Sequence, residues 1–208
     1  MSAIASDLTT PVLLLAMPQV LDPFFHRSVV LLVHHEDEGS FGFIINRPTG
    51  IRVSEILKGL DVGWQGRDEA VAYFGGPVQP QLGTVLFSPG KEDGATVGED
   101  GEDGEDDDDE DSTEVIPGVA LTQHIGDLSR LAEAPPASFR LFLGYAGWGQ
   151  GQLIEEILRN DWLTAPVSSD LIFAPDPEQV WSAALRSVGV DPSTLPSWTP
   201  GSVDETTN

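Results

Sequence analysis

The residues best suited to chemistry lie in a glycine-rich run, Gly144-Tyr145-Ala146-Gly147-Trp148-Gly149-Gln150-Gly151. The flanking pattern predicts a strand over residues 138–143 and a helix after the run, with Leu153, Ile154, Ile157 and Leu158 on one face. Free N–H groups at a strand-to-helix turn, aided by the helix dipole, can cradle a phosphate or carboxylate. The glycines do not fall in G-x-G-x-x-G register and no Lys-Ser/Thr follows, so neither a dinucleotide fingerprint nor a Walker loop is present. A plainer account has them allow a tight turn and close packing around Tyr145 and Trp148. Gly75-Gly76-Pro77-Val78 reads as a strand-ending turn. Asn46-Arg47-Pro48 ends another strand with a cation, which could meet an anionic ligand or form a structural ion pair.

Other chemistries find less support. There are no cysteines, which excludes disulfides, thiolate metal sites and a cysteine nucleophile. The histidines are His26, His34, His35 and His124, with no H-E-x-x-H. His34 and His35 are adjacent, so on an extended chain they face opposite ways, and a solvated turn over residues 34–39 is expected instead. No G-x-S-x-G or S-x-x-K occurs. Asp22, Glu155 and Glu156 could serve as acids or bases, but no spacing selects a pair. Glu155 and Glu156 read as solvated, with Arg159 within reach along the helix. Trp148, Trp162 and Trp181 sit near element ends and read better as core than as an exposed patch.

The elements that would position these residues follow from the apolar pattern. Strands are expected at residues 12–16, 28–33, 41–46, 71–74, 83–88, 119–121, 138–143 and 170–174. Asp22-Pro23 reads as an N-cap with proline at the first helical position, opening one helical turn over residues 24–27. Further helices are expected over residues 53–60, along Ile125, Leu128 and Leu131, and after Asp176-Pro177. Early hairpins followed by a late strand–helix–strand unit argue for one mixed α+β domain with a largely antiparallel sheet.

The 208 residues carry 34 acidic and 10 basic side chains, a net −24, so direct contact with a phosphate backbone is disfavoured. Residues 91–114 hold 14 of the acids and one lysine. So little apolar surface cannot offset ordering entropy, and like charges repel, so this tract is expected to be a disordered surface insertion. A docking element for a basic partner is the second reading, and no EF-hand register supports calcium binding. Residues 1–11 and 191–208 are expected to be flexible ends of a domain over 12–190. No apolar run approaches the roughly 20 residues needed to cross a bilayer, and the first ten residues hold no Lys or Arg, so a cytoplasmic location is the default expectation.

Several ordered motifs resemble the YqgE/AlgH family of bacterial proteins. They begin with Leu15-Ala16-Met17-Pro18, Asp22-Pro23-x-Phe25 and Arg27-Ser28-Val29. They continue through Gly42-Phe43-Ile44-Ile45-Asn46-Arg47-Pro48 and Gly75-Gly76-Pro77-Val78. The densest stretch is Gly144-Tyr145-Ala146-Gly147-Trp148, then Gly151-Gln152-Leu153, Glu156, Trp162-Leu163 and Asp170-Leu171-Ile172-Phe173. The chain departs from the family pattern at Ile154, at His34-His35-Glu36 and in its C-terminal ending. The resemblance implies a strongly curved, largely antiparallel, partly barrel-like sheet flanked by helices. It brings a transcriptional-regulator label but no established catalytic mechanism.

The resulting expectation is a regulatory protein acting through protein partners, without catalytic residue, cofactor or metal ligand. The second reading is an anionic-metabolite binder or enzyme built on the turn at residues 144–151. The candidate ligand or partner site comprises Asn46, Arg47, Gly75, Gly76, Gly144, Tyr145, Gly147, Trp148 and Gln152.

Overall fold

The computed structural model describes residues 8–89 and 112–196. The described chain divides into two compact units: one reaches Arg47 and resumes at Ala146, the other is Pro48–Tyr145.

The first unit begins with β1 (Val12–Ala16), β2 (Val29–Glu36) and β3 (Gly39–Ile44). β1 and the first half of β2 are continuous apolar runs because both their faces are covered; Leu13 to Ala16 and Val29 to Leu32 are fully buried. β1 lies antiparallel between β2 and β10 (Trp162–Ala165), with Leu13 opposite Leu31 and Ala165. β3 pairs antiparallel with β2 and with the last four residues of β9 (Phe139–Gly149). Val33 is the extra residue of a bulge in β2, between the Leu32–Gly42 and His34–Phe41 pairs. The helices are α3 (Gln152–Leu158), α4 (Ser169–Ile172) and α5 (Pro177–Ser187). α5 starts as its sequence predicts: Asp176 accepts a hydrogen bond from Glu178 N, and Pro177 occupies the first turn. It lays Val180, Trp181, Ala184 and Leu185 into the core against β1, β2 and β10.

The second unit contains β4 (Pro48–Arg52), α1 (Val53–Lys58), β5 (Val71–Phe74), β6 (Val78–Phe87), β7 (Thr113–Ile116), β8 (Val119–Thr122), α2 (Ile125–Glu133) and the first part of β9. β7, β8, β6 and β9 follow one another antiparallel, whereas β5 runs parallel to β9 and antiparallel to β4. Its core joins Val53 and Leu57 of α1 and Leu131 and Ala132 of α2 to Ala72, Val85, Phe87, Ala120 and Leu141. The expected α+β class and largely antiparallel pairing are therefore present.

Several local expectations are corrected. Residues 23–27 form turns rather than a helix. His34 and His35 belong to β2, so the hairpin turn is confined to Asp37 and Glu38. Residues 170–174 are not a strand: α4 occupies most of them, because Asp170-Leu171-Ile172 is too short for periodicity to separate the two states. β4, β7 and β10 are strands not anticipated. β7 takes in Thr113 and Glu114, which the expected disordered insertion over residues 91–114 had included, and residues 91–111 of that tract lie outside the described residues. Among the described residues no helix is long and apolar enough to cross a membrane.

Candidate functional site

The loop between β1 and β2 gathers many of the motif residues, and its shape is set by its own sequence. Asp22 accepts from Phe24 N through its side chain (2.8 Å) and from Phe25 N and His26 N through its carbonyl (3.1 and 2.8 Å). The cap predicted at Asp22 thus exists, but it closes a turn. Ser28 N donates to Phe25 O (2.9 Å), which returns the chain to β2. Met17 N donates to Asp161 O (2.9 Å), and Gln19 Nε2 to Asn160 O, fixing the other end.

Asn46 and Arg47 clamp this loop from below. Asn46 is buried, and its amide bonds twice to the segment entering β2: Oδ1 accepts from Val29 N (2.9 Å) and Nδ2 donates to Arg27 O (3.0 Å). Arg47 donates through Nη2 to His26 O. Burial holds its guanidinium below the usual arginine value.

Trp148 and Gln152 support the loop from another side, through a carboxylate that sequence reasoning had read as solvated. Glu156 Oε2 accepts both indole N–H groups, from Trp148 at 2.9 Å and Trp162 at 2.8 Å. Glu156 Oε1 accepts Gln152 Nε2 (2.9 Å), and Gln152 Oε1 accepts Gly149 N (3.1 Å). The two indoles meet edge to face at 5.8 Å, and Phe25 packs on both, 6.3 Å from Trp148 and 5.7 Å from Trp162. Trp148 and Trp162 are only 6% and 5% exposed, in keeping with the core reading of the tryptophans. The available signal was the i,i+4 spacing of Gln152 and Glu156 on α3. The partner indoles come from two different strands, which no local spacing reveals.

With its underside held, the loop turns two large apolar side chains outward: Leu21 is 45% and Phe24 48% exposed.

The remaining candidate residues fall elsewhere. Gly75, Gly76, Gly144 and Tyr145 belong to the second unit. Gly75 N donates to Leu143 O (2.9 Å), and Val78 lies opposite Tyr145. Gly144 has φ +70, and a Cβ there would collide with Gly76 O and sit 2.8 Å from Val78 O. The two glycine motifs are thus one close backbone contact, which a side chain on either would break. Gly147 is a ladder residue opposite Phe41. The strand expected to stop at residue 143 continues to Gly149, so the turn shrinks to Gln150 and Gly151 ahead of a seven-residue helix. Close approach thus explains Gly144, whereas Gly151, with φ +71 and open space around it, serves the turn.

The histidines are dispersed. His26 Nδ1 bonds Val20 O (3.1 Å), His35 Nδ1 bonds Ser40 Oγ (2.7 Å), and His34 stacks on Phe41. Among the described residues no three His, Asp or Glu side chains gather as metal ligands.

A family model described as AlgH-like (DUF179) matches residues 13–193. A UPF0301 protein of Myxococcus xanthus is 38% identical over 186 residues, covering 89% of this chain and 93% of its own. One from Hahella chejuensis is 40% identical over 180 residues, covering 86% and 88%. The solution structure of the AlgH protein from Pseudomonas aeruginosa superposes with a TM-score of 0.65 at 33% identity, covering 86% of this chain and 88% of that one.

Proposed function

The chain belongs to the AlgH-like family, and from that premise we propose that it works in regulation by holding a protein partner on the loop over residues 17–28, rather than by catalysis or direct DNA contact. One observation carries this reading: Leu21 and Phe24 stand out from a loop whose backbone is fixed at both ends and from below. An apolar pair on a mobile loop could fold inward. On a fixed loop the exposed face of Leu21 stays within reach of a partner, and covering it is worth about half of the roughly 1.5–3 kcal/mol of a fully buried side chain. Asn46, Arg47, Trp148 and Gln152 then act as supports that shape the surface. Pre-forming it lowers the ordering cost of association. The net charge of −24 favours a basic or neutral protein over nucleic acid.

The test uses the intact chain as bait in lysate of its own host, beside a double variant, Leu21→Asp with Phe24→Asp, and a version lacking residues 91–111, which spares β7. The expected result is a protein retained by the intact chain, lost with the double variant at unchanged melting temperature, and confirmed with the purified partner. Identical capture by intact and double-variant baits would remove the loop from the function. Loss only with the deletion would move docking to the acidic tract.

A further inference from the structure

The far end of the same loop borders a hollow that the partner reading does not use. It has a volume of about 230 Å³. Pro18, Pro192, Leu195 and Pro196 supply apolar wall, and Trp181, His26, Arg27 and Ser193 complete it, all within the first unit. We propose that this hollow binds a small carboxylate with an apolar or aromatic body, with Arg27 as the group that takes the carboxylate.

Three observations support this assignment. The first is the backbone of Arg27. Its φ is +53, a left-handed conformation that favours glycine and strains a long side chain. The loop needs the Arg27 carbonyl for Asn46, but any residue supplies a carbonyl. An arginine therefore stands where glycine would suit the backbone better.

The second is the charge around it. The chain has 34 acidic residues against ten Lys and Arg, yet no carboxylate among the described residues lies within ion-pair distance of Arg27. Its guanidinium instead lies 5.4 Å from the centre of the Trp181 ring. Trp181 is anchored, since its Nε1 donates to Ala16 O (2.8 Å). A fixed aromatic face holds the planar guanidinium in one orientation, and its N–H edge has the geometry a carboxylate accepts in bidentate fashion.

The third is size and sign. The volume lies below the roughly 300–1,000 Å³ of drug-sized pockets. It suits one ring or a short aliphatic body. One arginine matches one negative charge. The overall negative charge repels a dianion more than a monoanion, which favours a carboxylate over a phosphate.

The experiment titrates the full isotope-labelled chain with benzoate, benzamide and inorganic phosphate, following the Trp181 indole and Arg27 side-chain signals by NMR. Benzoate should shift both signals saturably. Benzamide, its neutral counterpart, should bind about tenfold more weakly, as befits losing a charge-assisted pair. Arg27→Gly should abolish benzoate saturation while leaving the melting temperature equal or higher, because glycine suits the backbone. Arg27→Gln should abolish it as well. Benzoate binding that survives both variants, equal binding of benzamide, tighter binding of phosphate, or no saturable shift with benzoate would each overturn the proposal. The partner reading is tested at Leu21 and Phe24, so either can fail alone.

Discussion

Replacing Glu156 with glutamine, a change of one atom, should destabilise the fold by about 2–3 kcal/mol. The reason is an inventory of donors. Every group facing Glu156 donates: two indole N–H groups on Oε2, and the Gln152 amide on Oε1. A carboxylate offers acceptors on both oxygens, whereas an amide offers one acceptor and one donor. If the glutamine oxygen keeps the indoles, its NH2 meets the Gln152 NH2. Gln152 cannot simply flip, because its own oxygen holds Gly149 N. Both indole bonds also pass from charge-assisted to neutral, a loss of about 1 kcal/mol each. The Gln152 bond is exposed, so water recovers much of it, which adds at most about 1 kcal/mol. Glu156→Ala should do more, about 3–5 kcal/mol, because it strands two nearly buried indole donors. Urea unfolding measures both, and for a chain of this size the glutamine variant should melt about 5–10 °C lower. The indole proton signals of Trp148 and Trp162 should move in Glu156→Gln, and that of Trp181, bonded to Ala16 O, should stay. A glutamine variant within about 0.5 kcal/mol of the parent, the range of an ordinary surface change, would refute the donor-count argument.

Two further outcomes follow from the same kind of reading. Gly144→Ala places a Cβ against Gly76 O and Val78 O at φ +70, so it should cost about 3 kcal/mol or more in denaturant unfolding, or prevent recovery of folded protein. Asn46→Asp keeps the acceptor for Val29 N but sets an oxygen against Arg27 O, so it should cost about 2 kcal/mol and speed amide exchange across residues 24–28; unchanged exchange would show that the amide does not hold the loop.

How much of the site could be read from the sequence depended on how far apart in the chain the partners lie. Asp176 as a cap and the apolar face of α5 were legible, because both are local patterns. So were the continuous runs that became β1 and β2, and the placement of the tryptophans in the core. The motif residues Asn46, Arg47, Trp148 and Gln152 were expected in a candidate ligand or partner site. What the sequence did not reveal is their bonding to the loop at residues 17–28 and to Glu156. β10 escaped notice because four residues have no usable period, and its pairing with β1 crosses most of the chain. The role of Gly144 was not legible for a related reason. Glycine punctuates turns locally, as Gly151 does, and only the nearness of Gly76 O shows that Gly144 serves a close backbone crossing.

The sequence by itself determined the α+β class, most long elements, the buried apolar residues and the charge that disfavours nucleic acid, because each is a property of composition or of a short period along the chain. Only the tertiary structure decided that Glu156 is a shared acceptor for two indoles, that Asn46 and Arg47 hold a loop, and that Arg27 rests on Trp181 with no carboxylate beside it among the described residues. Those relations join residues up to 154 positions apart. Hydrogen-bond complementarity and ring packing act over a few ångströms in space, whatever the separation along the chain.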